Sequence, residues 1–405
     1  MSGPLAGLRV VDFSWVVVGN VTTKLLGDFG AEVIKIEGWQ RRSGERSRPI
    51  IPTEDPTSPD NKHWFAHIAS SKKSVTANLK TEEGRKIVFD LIRDADVVME
   101  NFSPGTIERM GFGYEALKAI NPGIIMASGS IFGQTGPLAR LPGVDATGAA
   151  RAGRIDASGY PDGPPLIPSH LYGDSLLPFF IASAMLAALR ERDRTGKGCR
   201  IDGSMQEVIA HQMWPLIDRV LQGDQACWRT GNRHPDTAPH NVYPAAGEDR
   251  WIAIEVWSDA EWAALCTALG QPELAHDARF ATLAARKANE DALDAMIGDL
   301  TRPHDARALM AQLQEQGVAA GAVQTNSDIV ERDPQLRERG FLTDLHHPVL
   351  GDFGHQRSPI TLERADSQVM FRAPLLGEHN RSVCKDILGM SDAEIDALEA
   401  AGTFR

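Results

Sequence analysis

Cysteine is scarce in this chain, and its placement excludes two kinds of scaffold. Cys199, Cys227, Cys266 and Cys384 are scattered over 405 residues with neither pairing nor ligand spacing, which argues against a disulfide framework and a structural zinc site. The twelve histidines include no His-Glu-x-x-His, so no metal centre is expected. Net positive charge is also missing. A formal charge of -12 argues against general nucleic-acid binding, although a local basic pocket can still hold a phosphorylated small molecule. Near the start, no charged n-region leads into an apolar core, and no apolar run reaches membrane-spanning length once its charges are counted. The expectation is a cytoplasmic protein with neither a membrane nor a nucleic-acid partner.

The chain does have alternation. At 405 residues it exceeds one ordinary core, and 42% hydrophobic with 24% charged residues is a globular composition. Residues 8–13 read as a buried strand, 20–29 as a helix stopped by Gly30, and 32–37 as a second strand, which together make a β-α-β unit. A helix over 82–92, a strand over 97–99, a helix over 113–120 and a strand over 123–127 continue the pattern. The expected fold is α/β, a doubly wound and mostly parallel sheet. Yet the first strand runs into Ser14-Trp15-Val16-Val17-Val18-Gly19-Asn20, which lacks the G-x-G-x-x-G of a dinucleotide site, so a dehydrogenase is demoted.

After Trp228 the text becomes turn-rich through Pro244. It then alternates as a strand over 251–256, with helices over 259–269, 289–301 and 304–314. This block reads as a smaller α+β domain. Ser391-Asp392-Ala393-Glu394 is a capping box for a helix over 394–400, so the chain end is expected to fold back onto the first domain. The division is 1–224 for the first part of a large domain, 225–330 for a small domain and 331–405 for the returning segment.

The most informative local feature is Gly173-Asp174, set ahead of an apolar run over 175–189 that closes in a charged turn over 190–198. A carboxylate at the mouth of a helix is exposed enough to attack an electrophile, and the apolar run steadies its backbone. The competing interpretation is an ordinary N-cap that satisfies free N–H groups.

Several segments resemble the class III CoA-transferases, a family that also contains the α-methylacyl-CoA racemases. They lie at 4–12, 26–37, 72–80, 95–105, 132–137, 231–235 and 376–380, and include Phe132-Gly133-Gln134-Thr135-Gly136-Pro137 and Gly231-Asn232-Arg233-His234-Pro235. Their order and spacing carry the resemblance across nearly the whole chain. It implies a large α/β domain made from both chain ends, a small domain between them, and two chains threaded as linked rings. The partner is either a second copy or a sibling subunit. The resemblance also implies no tightly bound cofactor, with coenzyme A thioesters as substrate and product and a free carboxylic acid as acceptor.

The family's catalytic carboxylate falls on Asp174. Its expected chemistry is attack on an acyl-CoA thioester, giving a mixed anhydride and then an aspartyl-CoA thioester. The acid must stay ionised at neutral pH, which a helix mouth favours. Gly129, Gly133, Gln134 and Gly136 are the candidates for oxyanion donors or a lid, unless these glycines only make turns. The resemblance places CoA against Val16 and Val17, against Lys72 and Lys73, and against Asn101 and Phe102, with Met205 as the cofactor-side methionine. Arg41 and Arg42 are further phosphate candidates. Many relatives carry an alanine at Val18 and a proline at Asn20.

The racemase branch adds a histidine in a Gly-His-Asp motif. Here the segment is Gly143-Val144-Asp145, and valine cannot move a proton, so α-proton exchange would need His170 or another base. Trp15, Trp39, Trp64 and Trp214 are candidates for an aromatic-accepting pocket, or for core and dimer packing. The expected reaction is CoA transfer from succinyl-CoA to an organic acid. The suggested subgroup activates aromatic dicarboxylic acids, as with benzylsuccinate in anaerobic toluene breakdown. The alternatives are a racemase and a non-catalytic partner of a sibling subunit.

Overall fold

In the computed structural model, which describes residues 3–169, 171–224, 229–365 and 371–405, the chain divides into two compact units. The larger comprises residues up to Arg154, Pro168–Gln222 and Gln335–Arg405; the smaller comprises Ile155–Ile167 and Gly223–Pro334.

The larger unit is built on six parallel strands, β1 Arg9–Asp12, β2 Glu32–Glu37, β3 Lys73–Thr76, β4 Val97–Glu100, β5 Ile125–Ser130 and β6 Arg200–Ser204. Their order is β3-β2-β1-β4-β5-β6, and every pairing is parallel. This is the doubly wound order, whose switch point lies where β1 separates β2 from β4. All six strands precede residue 205, so the sheet is not formed by both chain ends as expected. The C-terminal segment contributes cover instead: Val383, Cys384, Ile395 and Phe404 join Ile34, Val75, Val98 and Met126 in one core. Ser391 and Glu394 make the expected capping box for the Asp392–Ala400 helix. The C-terminal segment also forms an antiparallel hairpin, β10 Leu342–His347 with β11 Gly351–Gln356.

The opposite face of the sheet is covered by the Val18–Asp28 and Tyr172–Thr195 helices, which pack on each other. In the second of these, Leu177, Ile181, Met185 and Leu189 recur every four residues as a buried stripe. Two glycines of the sheet let both this helix and the first approach. A side chain on Gly129 would meet Val18 Cγ1 at 2.8 Å, and one on Gly203 would meet Ile181 and Leu177 at 3.1 Å. By length and composition this helix is apolar enough to cross a membrane, which corrects the expectation that no run reaches that measure. Gly196, at φ 70°, ends it in a left-handed C-cap.

The smaller unit carries the antiparallel strands β7 His240–Pro244, β8 Trp251–Glu255 and β9 Ala319–Ala322 in that order. The helices Asp259–Ala268, Glu290–Thr301 and Ala306–Glu315 bury Trp262, Leu293 and Leu313 with Ile252 and Ile254.

Candidate active site

Asp174 is the third residue of the Tyr172–Thr195 helix, whose N-cap is Leu171, a residue that makes no side-chain cap bond. The capping interpretation of Asp174 is therefore wrong. Gly173 is required by close packing: a Cβ there would stand 2.8 Å from Met205 Cβ and 3.0 Å from Asp145 Oδ2. Asp145 accepts the Asp174 N–H at 2.8 Å, which sets two carboxylates side by side. Four residues on, Pro178 has no N–H to give the Asp174 carbonyl. Burial, and then the Asp145 charge, push the Asp174 carboxyl up to about 6. The helix mouth therefore does not hold it in the ordinary carboxylate range, although the ionised form still dominates at pH 7.

Around this point the sequence candidates separate. Val144 caps the Asp145–Arg151 helix and is 68% exposed; it offers no base. His170 and Cys227 lie outside the described residues. Met205 opens the Met205–Gln212 helix and packs under Gly173. Gly129 sits inside β5, paired with Gly203 of β6, where it serves packing rather than an oxyanion. The Gln134 N–H is already taken by both oxygens of Asp202, at 3.0 Å each. Gly133 and Gly136 have φ of 80° and 90°, values that make them turn formers. Among the described residues no cluster of three His, Cys, Asp or Glu is arranged to hold a metal.

The cofactor candidates divide as well. Lys72 is fully buried and bonds Asp12 Oδ2 at 2.9 Å and Asn20 Oδ1 at 3.0 Å. Burial lowers its ammonium to about 8 against the pull of Asp12. It is a structural cation, not a phosphate ligand. Lys73 pairs across strands with Glu32 at 2.6 Å. Arg42 is half-buried and bonds the Trp39 and Thr57 carbonyls. Asn101 spends its amide on the Trp15 backbone. Val16 and Val17 form the turn into the first helix, with Val16 at a φ of 57°.

Beside that turn, at the carboxyl ends of β1 to β4, lies a cleft of about 500 Å³. Its walls include Trp15, Trp39 and Phe102, and its cations are Arg41, Lys80, Arg85, Arg109 and Arg405. Phe102 meets Trp15 edge-on at 5.7 Å, and the Arg41 guanidinium stands 5.5 Å from the Trp15 ring. Of the predicted contacts, Arg41 and Phe102 line this cleft. Sequence reasoning missed Lys80, Arg85, Arg109 and Arg405. Lys80 and Arg109 lie just past β3 and β4, where the rule that ligands bind beyond strand carboxyl ends would have found them. Trp64 sits on the His63–Ile68 helix, and Trp214 is 68% exposed.

Residues 5–380 match CoA-transferase family III. The chain is 37% identical over 401 residues to a succinyl-CoA–D-citramalate CoA-transferase of Chloroflexus aurantiacus, covering 98% of this chain and 97% of that one. It is 38% identical over 347 residues to an acetyl-CoA:oxalate CoA-transferase of Acetobacter aceti, covering 84% and 85%. The solved structure of a CAIB/BAIF family protein from Brucella suis superposes with a TM-score of 0.87 at 34% identity, covering 95% of this chain and all of that one. The chain therefore belongs to CoA-transferase family III, enzymes that move CoA from an acyl-CoA thioester to a carboxylic acid.

Proposed function

We propose that Asp174 is the nucleophile of a CoA transfer from succinyl-CoA to a dicarboxylic acid, and that the cleft beside β1 to β4 takes the nucleotide end of CoA. The observation that carries this reading is the state of the Asp174 carboxylate. It is half-buried, sits at a helix start, and has another carboxylate rather than a cation beside it. A buried charge left uncompensated is poised to react rather than to stabilise.

The carboxylate attacks the thioester carbon, and the tetrahedral oxyanion collapses to a mixed anhydride as CoA thiolate leaves. The thiolate attacks the aspartyl carbonyl, forming the aspartyl-CoA thioester and releasing the donor acid as its carboxylate. The acceptor carboxylate then attacks the aspartyl carbon, expelling thiolate, which takes the acceptor acyl group and frees Asp174. No step requires a net proton. In the cleft, Arg41, Lys80, Arg109 and Arg405 would pair with phosphates, while Trp15 and Phe102 offer faces for the adenine.

D-citramalate and oxalate, the acids named for two relatives, are both dicarboxylates. An aromatic dicarboxylate such as benzylsuccinate stays in the test panel because Trp15 and Trp39 border the cleft. The active form we propose is an interlocked homodimer in the cytoplasm. Phe179, Phe180 and Leu186 on the long helix and Trp214, Ile217 and Leu221 on the Trp214–Leu221 helix expose apolar surface suited to a second copy.

The test is intact-protein mass spectrometry after mixing the chain with succinyl-CoA and a panel of aliphatic and aromatic dicarboxylates, with acyl-CoA products read in parallel. A CoA-sized adduct mapped to Asp174, together with one new acyl-CoA, is the expected result. Product formed with no adduct, or undiminished in Asp174→Ala, would overturn it.

A further inference from the structure

The turn that leads from β1 into the first helix has its backbone held on every side. The Ser14 N–H donates to Asp12 Oδ1 at 2.8 Å, and the Ser14 carbonyl accepts from Lys35 Nζ at 2.5 Å. Asn101 accepts the Trp15 N–H and donates to the Trp15 carbonyl, each at 2.7 Å. The Val16 N–H donates to Glu45 Oε2 at 2.8 Å, and its carbonyl accepts from Asn20 Nδ2 at 2.7 Å. Three consecutive residues thus have both main-chain groups committed to side chains. Loops ordinarily leave many of these groups to water.

The second unusual feature is Val16 itself. It is β-branched, 37% exposed, and holds a φ of 57°, a left-handed setting that only glycine adopts freely. Such strain persists where surrounding structure over-determines it, and it concentrates at functional sites.

Beneath the turn lies the network that imposes the strain. Asn20 Oδ1 accepts from Lys35 at 2.9 Å and from Lys72 at 3.0 Å. Ammonium groups only donate, so the amide orientation is fixed, and Nδ2 must face the Val16 carbonyl and Glu45 Oε1, the latter at 2.9 Å. Lys72 is balanced by Asp12, and Lys35 stands 3.7 Å from Glu45. Asp12, Asn20, Lys35, Glu45 and Lys72 are all 1% exposed or less. Two buried lysines and two buried carboxylates are a poor way to gain stability, because each charge must be desolvated. They do fix geometry, and the geometry they fix is that of Trp15, a wall of the cleft, and of its neighbour Val16.

We infer that Asn20 and Glu45 are positioning residues for acyl-CoA: they lock Val16 in its left-handed setting and so hold the Trp15 side of the cleft ready before substrate arrives. This rests on the reading that the cleft takes CoA. Pre-formed walls lower the ordering cost of binding, so the effect belongs in KM rather than in kcat.

The experiment is a rescue. Asn20→Ala should raise the acyl-CoA KM about tenfold, the scale of one released backbone strain, with kcat within about twofold. Adding Val16→Gly to that background should bring KM most of the way back, since glycine adopts the setting without a clamp. A defect of folding alone would lower the thermal midpoint and active fraction and would not respond to glycine at 16. Glu45→Gln, with and without Val16→Gly, carries the same comparison if Asn20→Ala is too unstable to assay. An unchanged KM in the single variant, or a double variant as impaired as the single, overturns the inference.

Calorimetric titration of free CoA separates this from failure of the cleft reading. Binding by the wild type that is lost in Arg109→Ala but untouched in Asn20→Ala overturns the positioning role alone. Wild-type binding indifferent to Arg109→Ala, or no binding at all, overturns both.

Discussion

Asp12, at the end of β1, and Asp174, in the first turn of the long helix, are two carboxylates drawn away from water in the larger unit, and their surroundings are opposite. Asp12 is fully buried, yet Lys72, Lys35 and the Ser14 hydroxyl outweigh the desolvation and hold it below the ordinary carboxylate range. Thr23 bonds its second oxygen at 2.7 Å. Asp174 is less buried, but desolvation and Asp145 push it up to about 6, and among the described residues it forms no ion pair. The fold therefore neutralises one carboxylate and leaves the other uncompensated. The first charge is part of the architecture; the second retains the reactivity that pairing would quench.

The sharpest way to break this contrast is to remove each charge and measure both activity and stability. Asp174→Ala should cost at least about a thousandfold in turnover, because the covalent route disappears, while folding is retained. Steady-state acyl transfer measures the first and chemical denaturation the second. Asp12→Asn should do the reverse in kind. It leaves Lys72 buried beside a neutral amide, a loss of about 3–5 kcal/mol. Denaturation midpoints that barely move in Asp12→Asn would mean the lysines find other partners, and the division between structural and reactive carboxylates would fail.

How far this contrast was legible from sequence depends on the link considered. The central strands were readable because they are buried on both faces: Val97, Val98 and Met99, like Val10 and Val11, give continuous apolar runs. The two edge strands were not read as strands. Lys73-Ser74-Val75-Thr76 and Arg200-Ile201-Asp202-Gly203-Ser204 are short and polar, as edges that must resist further pairing tend to be. Asp174 was legible as a candidate from its glycine and the apolar run behind it. Its environment was not, because Asp145 lies 29 residues earlier and meets it only through the fold. The same limit misplaced Lys72. A lysine beside a family motif suggests a phosphate contact, and only the pairing of β1, β2 and β3 shows that it points into the protein toward Asp12. Arg109 and Arg405 converge on the cleft from positions far apart in the chain, which no local pattern records.

If Asp174 is kept ionised against its surroundings, removing its charge should stabilise the protein. The rise to about 6 corresponds to about 3 kcal/mol at 1.36 per tenfold, and partial exposure reduces this to about 1–2 kcal/mol. Asp174→Asn should therefore be inactive yet more stable than the wild type at pH 7.5. The sign of the pH dependence follows. Because the folded value lies above the unfolded one, protonation favours the fold, and the wild type regains this stability gradually as pH falls from about 6 to the ordinary aspartate value of 3.8. The gap between variant and wild type should shrink to roughly half by about pH 5 and close only below about pH 4. A gap of unchanged size at about pH 4 would mean that amide packing, not charge, produces it.

The smallest effect separates the two causes of the raised value. Burial is the larger and Asp145 the smaller, so Asp145→Asn, whose amide oxygen can still accept the Asp174 N–H, should lower the acidic limb of kcat/KM only partway toward the ordinary aspartate range. The wild-type limb should fall near pH 6, where the attacking carboxylate protonates, with activity dropping about tenfold per pH unit below it. In Asp145→Asn the limb should shift down by roughly half a unit to one unit. Activity at pH 7 should then change little, while at pH 5.5 the variant should retain a larger fraction of its own maximum. A limb that stays in place assigns the whole rise to burial. A limb that moves upward would show that Asp145 supports the ionised nucleophile through the backbone it holds, and the two neighbouring carboxylates would then be partners rather than rivals.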